Sequence, residues 1–274
     1  MSDYLLLSPY ENEHGITSNY LQGDTQEKHI YNRNRFGSKW LWDNATIEYK
    51  MNSHGYRMEK ELDKIDFDNY YAFFGCSFTV GIGLPLTTTF PYMISDKNKV
   101  DYVNGAVGGA SPSFCYYNFI QLMHNAPKRP KCVIINWPPI TRQCYWYDNE
   151  LQFKGPNFST NSHIDYWNET YQNVIMEESH LYNTFDTMRK AIVTMCALSD
   201  VKLFQCSPHE IDYNRYPDIH IIPVDTYTDL SPNEFNSVDI INMRCARDVN
   251  TDYIGHPGLF YQTLIYDKFT ETMV

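Results

Sequence analysis

The chain has little positive charge and no apolar run that approaches the length of a bilayer. Its 22 Lys and Arg stand against 33 Asp and Glu, a formal charge of −11, with no local cluster of basic residues. Nucleic-acid phosphates require a basic face, so nucleic acid is not an expected partner. The opening MSDYLLLSPYENEHG has no basic leader, and its apolar stretch runs only from Tyr4 to Leu7. Neither a signal peptide nor a membrane anchor is therefore expected, and the reading is of synthesis in the cytoplasm. Seven cysteines are scattered without paired spacing, and neither CxxC nor HExxH occurs. They read as buried thiols of a reducing compartment, and a metal site has no motif behind it. Internal repeats and low-complexity tracts are also missing.

What is present is a globular composition, 43% hydrophobic and 16% aromatic over 274 residues, with 23 tyrosines. Residues 1–66 are polar, aromatic and irregular, and read as an arm packed on the main domain, with short strands near ATIEYKMN. From residue 67 on, the rhythm is that of one α/β domain. Apolar strands are predicted at 70–75, 100–104, 132–137, 201–206 and, more weakly, 218–224. Near-continuous apolar runs of this kind suit strands buried on both faces of a parallel sheet. Helices are predicted at 113–126, at 178–198 and after Pro257-Gly258. In the second, Leu181, Phe185, Met188, Ile192 and Met195 form one apolar stripe, read as core. The alternation predicts a three-layer α/β/α sandwich with a mostly parallel sheet. Residues 138–178, rich in Trp, Tyr and Asn, interrupt it as an insertion.

Ligands of open α/β sheets bind outside the carboxyl ends of the strands. There the first strand delivers GCSFT (75–79), the second NGAVGGAS (104–111) and the third NWPP (136–139). ARDVNTDYIGHPG (246–258) precedes the last helix. Alone, a serine at a strand end is a turn or cap residue. Together these segments hold what nucleophilic acyl transfer needs: a hydroxyl, a base, a carboxylate and oxyanion donors. The elbow G-x-S-x-G is not formed, because Thr79 stands at its second glycine.

These blocks resemble those of the SGNH (GDSL-type) hydrolases. FFGCSFTVGIG is similar to the first block, with Cys76 where many members carry Asp. VNGAVGGAS is similar to the second and puts Gly109 at the family glycine. In VIINWPP only Asn136 matches the third, usually Gly-x-Asn-Asp, and GHPG supplies His256. KMNSHGYRM (50–58) resembles a lead-in of some bacterial and phage members. The resemblance covers roughly 50–137 and 246–270.

It implies a flavodoxin-like sheet and ester hydrolysis through an acyl-enzyme on Ser77, with His256 as base and no metal or organic cofactor. The oxyanion donors would be the Ser77 and Gly109 N–H groups, with Asn136 either a third donor or a strand-end turn former. The family places its Asp three residues before the His, where this chain has Tyr253. Asp252 is favoured for its proximity, with Asp248 or a backbone carbonyl as alternatives. The implied substrates are short acyl esters or O-acetylated carbohydrates, more than triglycerides, and acyl transfer is the enzymatic rival. A binding or structural protein on the same fold, such as a phage-particle component with an idle site, is the rival of a different class. Cys76 as nucleophile is set against a buried small side chain. Trp137, Trp146 and Trp167 serve either to stack on sugars or to pack. Oligomerisation through the arm is a further expectation.

Overall fold

A computed structural model describes residues 4–6, 8–21, 23–147, 150–154, 177–208, 215–222, 246–249 and 255–273. Five strands form the central sheet: β3 (Tyr70–Phe74), β4 (Asp101–Asn104), β5 (Cys132–Asn136), β8 (Lys202–Ser207) and β9 (His220–Ile221). Every pairing in it is parallel, and the order is β4-β3-β5-β8-β9. In units of this sheet alone the order is second, first, third, fourth, fifth, the flavodoxin-like arrangement. Strands β3 and β5 carry Phe73, Phe74, Val133, Ile134 and Ile135, all fully buried. Burial on both faces explains why these strands read as continuous apolar runs. The weak candidate at 218–224 is a two-residue edge strand.

Helix α3 (Phe90–Asn98) links β3 to β4, and α4 (Pro112–Asn125) links β4 to β5. The chain moves in opposite directions along the sheet in these two crossovers, so right-handed connection puts the helices on opposite faces. On those faces α3 packs against α6 (Leu259–Met273), and α4 packs against α5 (Glu178–Leu198). The result is an α/β/α sandwich. The α5 stripe buries Leu181, Phe185, Ile192 and Cys196, with Met188 and Met195 at its margin.

The arm is more ordered than its composition predicts. It holds the helix α1 (Gln26–Phe36), capped by the Thr25 hydroxyl, and a short antiparallel pair, β1 (Thr17–Ser18) with β2 (Tyr49–Lys50). Leu21, Trp40, Trp42, Ile47, Tyr49 and Met51 form a second core with Val80, Ile82, Leu84, Ala246 and Val249. That core lies directly beneath the segments that follow β3 and precede α6. Within the predicted insertion, β6 (Gln143–Tyr147) and β7 (Glu150–Lys154) make an antiparallel hairpin. Trp167 lies outside the described residues. Among the described helices none is long and apolar enough to cross a membrane.

Candidate active site

The switch point of a 2-1-3-4-5 sheet lies between its first and third strands, here β3 and β5. Ser77 follows the first and Asn136 ends the other. Gly75 makes the exit from β3 tight: a Cβ there would overlap the Thr79 hydroxyl and come within 2.9 Å of Asn136 O. Cys76 caps the four-residue helix α2 (Ser77–Val80), and Gly81, at φ 73°, closes it by donating to Ser77 O. The first N–H groups of a helix have no acceptor within it, so the Ser77 N–H has none within α2. Ser77 itself is 8% exposed and Cys76 2%.

The loop beyond Ser77 is held from the lead-in segment. The buried Arg57 guanidinium donates to Val80 O (3.1 Å), Gly81 O (2.7 Å), Leu84 O (2.8 Å) and Glu48 O (3.1 Å). It lies over the Tyr49 ring at 4.3 Å, and burial lowers its pKa. A single residue thus ties α2 to the arm.

His256 meets a carboxylate, and it is Asp248. Its Nδ1 lies 2.7 Å from Asp248 Oδ2, and its backbone N–H donates to Asp248 Oδ1 at 3.0 Å. The Asp248 side chain is 1% exposed and the imidazole 19%. Gly83 and Gly255 make room: a Cβ on Gly83 would stand 3.0 Å from Asp248 Oδ1, and one on Gly255 2.7 Å from Asp248 O. With Nδ1–H donated to the carboxylate, Nε2 keeps its lone pair and can accept a proton. Asp252, favoured from its spacing, lies outside the described residues, and the orienting position on the imidazole is filled by Asp248. The two ends of this eight-residue separation are held together by Ala246 N–H, which donates to His256 O at 3.0 Å.

Several contacts join this pair to the Ser77 turn. The Phe78 ring stands edge-on to the His256 ring, centroids 6.0 Å apart, and Arg247 N–H donates to Gly83 O at 3.0 Å. Gln262 donates from Nε2 to Phe78 O at 3.0 Å and accepts the Phe90 N–H at 2.9 Å.

Asp248 is in turn positioned by the arm. Its neighbour Arg247 forms a fully buried ion pair with Asp24, Nε to Oδ1 2.9 Å and Nη2 to Oδ2 2.6 Å. Tyr49 donates to the same Asp24 at 2.5 Å and accepts Gly83 N–H at 2.7 Å. Asn32 of α1 donates to Arg247 O (3.3 Å) and Val249 O (2.5 Å), gripping both sides of Asp248. Gly23 closes against the imidazole: a Cβ on it would stand 3.3 Å from His256 Cε1.

Asn136 is 1% exposed. Its Oδ1 accepts the Tyr261 hydroxyl at 3.0 Å and the Cys206 thiol at 3.7 Å. Its Nδ2 has no partner among the described residues. Two donors on one side of the amide fix which end is oxygen and leave an unsatisfied N–H pair at the rim. Gly109, at φ 71°, lies in the turn between β4 and α4. Because β4 pairs with β3, that turn leaves the sheet at the same edge as Ser77. Asn104, the first residue of this block, has a structural part, donating to Arg57 O and accepting Ala106 N–H.

Arg57, Asp24, Asn32, Arg247 and Tyr261 are the residues that sequence reasoning missed. Arg57, between Tyr56 and Met58, is an arginine flanked by apolar residues, which was an available signal; Arg247, between Ala246 and Asp248, offered none. The other three carry no local pattern. Trp137 is fully buried, donates to Gln205 Oε1 at 3.1 Å and packs edge-on to Phe185, so it is core and no platform for a sugar. The side chain of Trp146 lies outside the described residues. Among the described residues no cluster could hold a metal ion, and the six described cysteines are unpaired.

No protein-family model matches the chain, and no curated protein does. Among solved structures it is similar to a lipolytic protein of the G-D-S-L family from Veillonella parvula, at 15% identity and TM-score 0.40, over 74% of this chain and 97% of that one. A lipolytic protein described as putative, of the same family, from Desulfitobacterium hafniense matches at 11% and 0.41, over 74% and 98%. An acetyl xylan esterase from Butyrivibrio proteoclasticus matches at 10% and 0.37, over 75% and 63%.

Proposed function

We propose that this chain is a serine ester hydrolase of the SGNH type. The observation that carries the reading is the Asp248–His256 pair, with Nδ1 held at 2.7 Å and Phe78, next to Ser77, against the imidazole. Nε2 takes the proton of Ser77 Oγ as that oxygen adds to the ester carbonyl. The tetrahedral oxyanion is met by the N–H groups of Ser77 and Gly109 and by Asn136 Nδ2, which has no partner among the described residues. His256, now imidazolium beside the Asp248 carboxylate, returns the proton to the leaving alcohol. Water repeats the sequence on the acyl-enzyme, releasing the acid and restoring Ser77. The substrate is a short acyl ester or an O-acetyl group on a carbohydrate. An alcohol in place of water would make the same acyl-enzyme a transferase.

A second reading, a binding or structural protein with an idle site, draws on the burial of Ser77, 8% exposed. A fluorophosphonate probe separates the two. The hydrolase reading expects stoichiometric labelling that Ser77→Ala and His256→Ala each abolish, together with turnover of p-nitrophenyl acetate. A folded parent protein that neither labels nor turns over the ester would leave the binding reading.

A further inference from the structure

A solvent-open cleft of about 620 Å³ lies in the arm, where the family resemblance does not reach; Tyr10, Glu13, Ile16, Tyr20, Leu21 and Glu27 are among its walls. Two of these walls adjoin the candidate site. The Tyr10 hydroxyl donates to Gly108 O at 2.9 Å, one residue before Gly109. Leu21 bridges to Asp24 through the backbone, and Gly23 between them stands against His256 Cε1. Two of its wall residues thus connect to the oxyanion turn and the base, while Ser77, Gly109 and His256 do not line it.

Its lining is acidic, although the Arg142 guanidinium is near enough to act on Tyr10. No Lys or Arg lines it. Glu13 is 7% exposed, and among the described residues no hydrogen bond or ion pair reaches its carboxylate. Burial pushes that carboxyl up to about 7. Glu27, in the first turn of α1, is a second carboxylate, held low by its own backbone N–H and Thr25. Arg247 is occupied elsewhere, paired with Asp24 and lying over the Tyr20 ring at 4.8 Å. A buried carboxylate with no donor or counter-charge is costly, and a ligand that brings a positive charge relieves the cost. An anion would meet two carboxylates. A neutral ligand would leave Glu13 without a counter-charge. Tyrosine faces attract ammonium groups as well.

We infer that this cleft binds an organic cation, a primary or quaternary ammonium, with the Glu13 carboxylate as its counter-charge and the Tyr10 and Tyr20 rings beside it. Its links through Tyr10 to Gly108 and through the Leu21–Asp24 turn to His256 make it the subsite for the cationic end of the substrate, a clause that rests on the hydrolase reading.

The test is calorimetric titration of the full chain at pH 8 with choline and with its uncharged isostere 3,3-dimethylbutan-1-ol. Choline is expected to bind at least about tenfold more tightly. Glu13→Gln is expected to remove that preference while leaving the isostere within about twofold. Equal affinities, or no choline binding up to about 50 mM, would overturn the inference. So would a preference that survives in Glu13→Gln. The isostere comparison needs no variant, so a poorly folded mutant does not blunt it. Choline selectivity without fluorophosphonate labelling would keep the cation site and remove the hydrolase reading. Labelling without selectivity would do the reverse.

Discussion

Asp248 and Asn136 show how single side chains divide the work at the rim. Asp248 spends one oxygen on the His256 backbone and the other on its ring, so it fixes both loop and tautomer. Asp248→Asn is expected to lower kcat by roughly 10²-fold or more, whereas Asp252→Asn leaves it within about twofold, in steady-state kinetics on p-nitrophenyl acetate. Asn136 offers an amide whose oxygen end is already taken by Tyr261. Asn136→Ala should cost roughly 10²–10³ in kcat with little change in KM, the mark of a donor used in the transition state. Glu13 titrates differently between the folded and unfolded chains. Its folded pKa is raised from 4.5 to about 7, so its contribution to stability is complete below 4.5 and is lost as pH rises through 7. Glu13→Gln is therefore expected to raise thermal stability at pH 8, by about 2 kcal/mol at most, and to leave it nearly unchanged at pH 4.

Elements fix where these residues stand. Helix α1 buries only His29 and Asn32, and its sequence QEKHIYNRNRF shows no apolar stripe. Hydrophobic periodicity could not have found it. It is held by Thr25 at its N-terminus and by Asn32, whose amide grips the backbone on both sides of Asp248. Asn32→Ala is expected to lower kcat while costing about 1–2 kcal/mol of stability, read by kinetics beside thermal unfolding. The ion pair next to it is stiffer. Asp24→Asn leaves Arg247 charged and buried, and a loss of about 3–5 kcal/mol is expected in denaturant unfolding. By contrast β3 and β5 were legible, since strands covered on both faces are apolar nearly throughout. Helix α5 was legible over its full span because its partner surface is one stripe. Helix α3 was not, because FPYMISDKN is too short for a period to emerge.

At the scale of the molecule, the arm and the α/β domain share apolar surface. Leu5, Tyr56, Met58, Leu62 and Ile65 belong to the sheet's own core, while Trp40, Trp42 and Tyr49 cover Val80, Ile82, Leu84 and Val249. Removing residues 1–66 would expose the underside of the Ser77 loop and of the Asp248 segment. The truncated chain is expected to be insoluble, or soluble with exposed hydrophobic surface and no fluorophosphonate labelling. A folded and fully labelled fragment would show that the arm is dispensable for the site.

The sequence alone determined the mostly parallel sheet and the segments that reach its rim. Apolar runs and Gly-bearing strand ends are local consequences of burial and tight turns, and they survive in one dimension. Tertiary structure alone decided which carboxylate faces His256, which end of the Asn136 amide is free, and what the arm does. Each of those depends on partners far apart in the chain, Asp24 with Arg247, Asn32 with Val249, Tyr261 with Asn136. A buried polar group takes the partner that folding brings within hydrogen-bond distance, and sequence spacing carries no record of it.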